Sequence, residues 1–187
     1  MPKLWQDSVE AHRETVRKAA LDAAGALIAE HGLPSVTMSR IAQDAGIGRA
    51  TLYKYFPDVQ AVLSAWHQRQ VHSHLALLAQ AASRPGTPRE RLRAVLVAYA
   101  GATRRQHGND LGALLHQGEH VVQAQDHLRQ QLADLLQEGA VVGEVRSDVA
   151  STELATFCLH ALTAAGALGS DAAVHRLVDV TLTGLSP

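Results

Sequence analysis

A single cysteine, Cys158, stands in 187 residues, so no intrachain disulfide forms and no zinc site can be built from several thiolates. Aromatic residues make up only 4%. Strand signals are nearly absent as well: the chain is rich in Ala, Leu, Gln and Arg, and its valines fall mostly at helical spacing, which predicts an all-α protein. No apolar run approaches the roughly 18 residues of a membrane span, and the opening MPKLWQDSVE lacks the apolar core of a secretory signal. The expectation is a cytoplasmic protein with no membrane partner. An excess of one charge is missing too, since 17 Lys+Arg against 18 Asp+Glu give a formal −1. Bulk electrostatics therefore neither demand nor exclude nucleic acid. Neither an acid–base pair nor a nucleophile–base set nor a phosphate-cradling glycine loop is present, which argues against an enzyme and against a bound cofactor.

With 47% hydrophobic and 19% charged residues, the composition is that of an ordinary globular protein. Asp7 or Ser8 can cap a first helix to about Glu30, ended by His31-Gly32. Thr37 caps a short helix to about Ala45, closed by Gly46, and another short helix covers about 48 to 55. Asp58 is placed to cap a long helix to about Ala82. SRPGTPRE, 83 to 90, is the clearest linker, and within it Thr87-Pro88-Arg89-Glu90 forms a capping box for a helix to about Gln106. Further helices are expected over about 111 to 117, 121 to 138 (stopped by Gly139), 151 to 168 and 171 to 185, making about nine. AVVGEVRSDVA reads as loop rather than strand.

The stretch TMSRIAQDAGIGRATLYKYF, 37 to 56, has the layout of a helix-turn-helix: two short helices around a glycine turn, the second beginning with small and polar residues. Gly48 and Ala50 let a backbone approach a duplex, Arg49 can reach a guanine or a phosphate, and Thr51 can serve either contact. Leu52 and Phe56 would lock the helix onto its neighbours. Between 37 and 57, Arg40, Arg49 and Lys54 against Asp44 give a local +2, the kind of positive element that phosphate binding uses.

RKAALDAAGALIAEHG followed by this stretch and a long helix resembles the DNA-binding region of the tetracycline-repressor (TetR) family of bacterial regulators. The marks are Asp22-Ala23-Ala24, Gly32, Thr37, Ile41-Ala42, Ala45-Gly46-Ile47, Thr51-Leu52-Tyr53 and Phe56-Pro57, covering about a third of the chain. The resemblance implies that Thr37, Arg49, Thr51, Tyr53, Lys54 and Tyr55 face DNA, with Tyr53 and Lys54 mainly on phosphates. It implies a helix-turn-helix domain over 1–57 and a ligand-binding and dimerisation domain over 58–187. It also implies a dimeric repressor of a pseudo-palindromic operator, released when an unknown small molecule moves the fourth helix. Two positions depart from the family pattern: Gly48 stands where Ser is usual, and Val59 where Lys is common. Both departures shift binding toward Arg49, Tyr53 and Lys54.

Within 58–187, Leu154, Phe157, Ala161, Leu162 and Ala165 form one apolar stripe, and Val174, Leu177, Val178, Thr181 and Leu182 another. These stripes predict a four-helix interface between two copies of the chain. His67 and His74, seven residues apart on the fourth helix, are candidate ligand contacts together with Trp66, Tyr99, His107, Phe157 and His160. Two alternatives stand beside this reading. His116 and His120 have the i,i+4 spacing of a metal-ligand pair, with His127 near the same face, as a metal-sensing regulator would require; Gly118 and the lack of a local Cys or carboxylate set weigh against a metal. The other is a helical module in which residues 37 to 56 merely pack.

Overall fold

A computed structural model describes residues 3–106 and 119–187. Among them are eight α-helices and no strand: α1 Lys3–His31, α2 Met38–Asp44, α3 Arg49–Tyr55, α4 Val59–Ala82, α5 Pro88–Gln106, α6 Glu119–Val141, α7 Ser151–Thr163 and α8 Asp171–Thr183. Short 3-10 turns cover Leu33–Ser35 and Ala164–Ala167. The helix expected over 111 to 117 lies outside the described residues. None of the described helices is long and apolar enough to cross a membrane.

The chain divides into two compact units, Met1–Gln70 and Val71–Pro187. The division falls inside α4, thirteen residues beyond the boundary expected after Pro57, because the first half of α4 contributes to the N-terminal core. Val62 and Leu63 are buried there together with Val16, Ala20, Ala24, Leu27, Ile41, Leu52 and Phe56. Trp66 lies so close to α1 that a Cβ on Gly25 would sit 2.7 Å from the indole Nε1. Arg69 adds a 2.7 Å hydrogen bond to Asp22, which also accepts one from Lys18. These two cations hold the Asp22 carboxyl below its ordinary range, the Lys18 hydrogen bond being the larger cause.

The second unit is built around α5. Leu92, Val95, Leu96 and Ala100 of α5 are buried with Leu132 and Leu136 of α6, Leu154 and Leu162 of α7, and Val174 and Val178 of α8. Thr87 and Glu90 form the expected reciprocal cap, the Thr87 N–H donating to Glu90 Oε2 at 2.9 Å and the Glu90 N–H to Thr87 Oγ1 at 3.3 Å. Arg89 fastens the far end of the chain, donating to the Glu144 and Leu182 carbonyls and to Ser186 Oγ.

Three boundaries differ from expectation. Helix α1 begins at Lys3 rather than at Asp7 or Ser8; nothing in Lys3 to Gln6 opposes a helix, so a capable cap is passed over. Helix α6 continues through Gly139 to Val141. Gly139 serves close approach: a Cβ there would lie 2.6 Å from Val145 Cγ2 and 3.6 Å from Pro88 Cβ. The turn after α6 instead uses Gly143, at φ 76. The helix expected over 151 to 168 tightens to a 3-10 turn after Thr163.

Candidate functional site

The geometry of α2 and α3 follows from local rules. Thr37 Oγ1 accepts the Arg40 N–H at 3.3 Å and starts α2. Ala45 ends it, and Gly46 takes a left-handed φ of 65. The Gly46 N–H donates to the Gln43 carbonyl at 3.1 Å and the Ile47 N–H to the Ala42 carbonyl at 3.0 Å, the paired closure of a Schellman turn. The chain is thereby redirected, and α3 starts after Gly48.

Seven residues of α3 then split by face. Leu52, on α3, and Phe56, just past it, are 0% and 2% exposed and anchor the helix in the core. Arg49, Ala50, Tyr53 and Lys54 are exposed, and Thr51 and Tyr55 half-buried. Tyr53 is the large aromatic among them left 47% exposed, a costly placement for packing alone and a useful one for a phenol that must meet a partner. The six residues expected to face DNA, Thr37, Arg49, Thr51, Tyr53, Lys54 and Tyr55, all retain accessible surface. Two cations on neighbouring helices are also placed: Arg40 of α2 is half-buried, and Arg17 of α1 has its guanidinium 5.3 Å from the Phe56 ring centroid. A cation over a ring face favours the orientation of both groups. Only folding brings Arg17 to Phe56, so no sequence spacing could have announced it.

The residues suggested for ligand contact are distributed over both units. Trp66 packs toward Gly25 and His67 is buried, both within the first unit. Tyr99 is half-buried against the core of the second unit, and burial raises its phenol pKa. Phe157 is 48% exposed and His160 is exposed with Nδ1 2.9 Å from the Thr156 carbonyl. His107 lies outside the described residues. Of the set, His74 alone among the described residues lines the large groove of the second unit. That groove runs between α4, α5 and α8 and has a volume of about 640 Å³. Its floor includes Leu78, Ala94, Ala98, Gly101 and Val174, and its polar lining includes Arg84, Glu90, Arg105 and His175. The signal missed in the sequence is the small-residue stripe Ala94, Ala98, Gly101 and Ala102 ending in two arginines.

The expected copy-to-copy interface also needs correction. Leu154, Leu162, Ala165, Val174, Val178, Thr181 and Leu182 are buried within the chain's own core, beside α5 and α6, and are not surface for a partner. Apolar stripes on α7 and α8 specify burial without naming what buries them. Ala161 and Leu177 remain half-buried, and Phe157 and Val180 are 48% and 70% exposed. The outer faces of the same two helices thus still carry apolar surface.

As to metal, His116 lies outside the described residues and His127 is exposed. Among the described residues no three His, Cys, Asp or Glu side chains gather as a metal site. Cys158 is fully buried, and burial pushes its thiol pKa up to about 12, the opposite of an activated nucleophile.

Comparison with known proteins adds independent findings. Residues 20–65 match the family described as "Bacterial regulatory proteins, tetR family", and residues 91–187 match "Transcriptional regulator SbtR-like, C-terminal domain". The uncharacterized HTH-type transcriptional regulator Mb2274c of Mycobacterium bovis is 32% identical over 91 residues, 49% of this chain and 44% of its own. The HTH-type transcriptional repressor LfrR of Mycolicibacterium smegmatis is 42% identical over 60 residues, 32% of this chain and 30% of its own. These matches thus span less than half the length of either relative. Among solved structures, a TetR/AcrR-family regulator from Thermobifida fusca superposes with a TM-score of 0.79 at 23% identity, covering 90% of this chain and 97% of its own. The regulator AibR, solved with isovaleryl coenzyme A and operator DNA, gives 0.63 at 18% identity, covering 92% and 98%. At these identities the structures establish the shared fold.

Proposed function

The chain belongs to the TetR family of DNA-binding transcriptional regulators, and from that premise we propose that it is a repressor that binds a pseudo-palindromic operator as a homodimer and is released by a small molecule. The observation that carries the proposal is the division of α3: Leu52 anchors the helix while Arg49, Tyr53 and Lys54 stay exposed on it. Arg49, near the helix start, is suited to a base edge or phosphate, and Tyr53 and Lys54 to the backbone. The name of the LfrR relative supports repression.

A helix-turn-helix reads two half-sites through a two-fold dimer. The exposed apolar faces of α7 and α8, with Phe157, Ala161, Leu177 and Val180, suit that pairing. The effector site lies in the second unit, in the groove beside α4. For the effector to release DNA it must bind the DNA-free arrangement more tightly than the DNA-bound one, since equal affinities shift nothing. The protein acts where the chromosome is, in the cytoplasm.

Selection of duplexes from a random pool by the full chain tests the proposal. The expected product is one pseudo-palindrome with half-sites about one helical turn apart, bound by two chains. A pool that remains unenriched, or a single asymmetric site bound by one chain, rejects it.

A further inference from the structure

The groove between α4, α5 and α8 carries a charge pattern that narrows what fits it. Its charged and titratable lining consists of His74 on α4, Arg84 just after it, Glu90, Arg93 and Arg105 on α5, and Asp171 and His175 on α8. Two of these charges are already matched: Arg93 donates to Asp179 at 2.7 Å, and Asp171 pairs with Arg104. Arg84 and Arg105 have no ion-pair partner among the described residues.

The two free cations differ in their surroundings. Arg84 shares its end of the groove with the Glu90 carboxylate, which repels a second anion. Arg105 shares its end with His74 and with an Asp171 whose charge Arg104 compensates. Burial and the Arg105 charge both push the His74 pKa down from its ordinary 6.5, burial being the larger cause. An anion set between them would reverse the Arg105 contribution and draw a proton onto His74. Between the two ends the floor is apolar: Leu78, Ala81, Ala94, Ala98 and Val174. Eight helical steps from His74 to Ala82, the last residue of α4, span about 12 Å at 1.5 Å per residue, and Arg84 stands two residues further on.

We propose that the groove binds an amphiphilic monoanion, its head group at Arg105 and His74 and its apolar body laid over Ala98, Ala94 and Leu78 toward Arg84. This rests on the reading of the chain as an effector-responsive regulator and names the chemical class of the effector. A volume of about 640 Å³ is that of a small-molecule site, and one head group satisfies the one cationic end that no carboxylate offsets. Dianions with charges at both ends are disfavoured by Glu90, and cationic amphiphiles by Arg105.

Calorimetric titration of the full chain with decanoate, decanol and decylamine separates head-group recognition from chain burial. Decanoate is expected to bind about tenfold or more tightly than decanol, as one charge-assisted contact provides, and decylamine more weakly than either. Decanoate affinity should rise between pH 8 and pH 6 as His74 gains its proton. Arg105→Met should abolish the preference for decanoate while leaving decanol unchanged, with Arg105→Lys recovering part of it. Equal binding of decanoate and decanol, no decanoate binding, or an Arg105→Met chain that keeps the preference overturns the proposal. Binding of a selected duplex by the same preparation distinguishes the failures. If duplex binding persists without a decanoate preference, only the effector class falls, whereas loss of duplex binding in the unaltered chain removes the regulator reading itself.

Discussion

Replacing Gly139 by Ala should destabilise the protein, although intrinsic helix preference points the other way. Ala is favoured over Gly inside a helix by about 1 kcal/mol. Against that, the new Cβ would lie 2.6 Å from Val145 Cγ2 and 3.3 Å from Val145 Cβ. Ordinary carbon contacts begin near about 3.5 Å, so the valine methyl must retreat by roughly 0.9 Å. Val145 is 2% exposed and its branched side chain has few staggered alternatives. Pro88 Cβ at 3.6 Å limits movement of α6 in the other direction. Overpacking of this kind costs about 1–3 kcal/mol, leaving a net loss of up to about 2 kcal/mol. For a chain of this size that lowers Tm by up to about 8 °C. Thermal unfolding followed by circular dichroism reads the shift. The same exchange in a Val145→Ala background should be neutral or stabilising, because the clashing methyls are gone, and the difference between the two backgrounds isolates the contact. A Gly139→Ala chain melting at or above the unaltered temperature would refute the close-approach account.

Other consequences follow from buried groups. Moving Cys158 from 9.0 to about 12 cuts its thiolate fraction near pH 8 about a thousandfold. A disulfide reagent should therefore leave the folded protein untouched and titrate one thiol after unfolding in guanidinium; prompt reaction of the folded form would contradict the burial. His74 has a folded-state pKa below its ordinary 6.5, so the unfolded chain takes up the proton first as pH falls through that value. Stability should decline below about pH 6.5, and His74→Gln should flatten that decline in urea titrations at pH 7.5 and 5.5; an unchanged pH dependence would show that His74 does not contribute. Asp22→Asn, which removes exposed ion pairs with Lys18 and Arg69, should cost under about 1 kcal/mol at pH 7, read by the same titration; a much larger loss would mean that the pairs are shielded from solvent.

What was legible in the sequence was the structure determined within a few residues. Thr37, Asp58 and the Thr87–Glu90 pair cap their helices as read, since a cap needs only its own first turn. Gly46 closes α2 for the same reason. Gly139 misled because a glycine can end a helix or admit a neighbour, and Val145 reaches it only in the folded chain. The stripes on α7 and α8 are apolar as expected, yet α5 and α6 cover much of them within the chain. The groove was illegible for a related reason. His74, Arg105 and His175 come from three helices, and no spacing along the sequence relates them. By contrast the exposed side of α3 could be read early, because seven residues carry both its anchor and its outward groups.

The central claim, that α3 reads DNA, is tested most directly by titrating a selected duplex with the unaltered chain and with Arg49→Ala, Tyr53→Phe and Lys54→Ala over a range of salt concentrations. The account predicts that Arg49→Ala lowers affinity by about tenfold or more per half-site. Tyr53→Phe should weaken binding less, and Lys54→Ala should reduce the salt slope by about one per half-site. All three should melt as the unaltered protein does and keep its oligomeric state. Unaltered affinity and salt slope in all three would contradict the claim and leave residues 37 to 56 as packing.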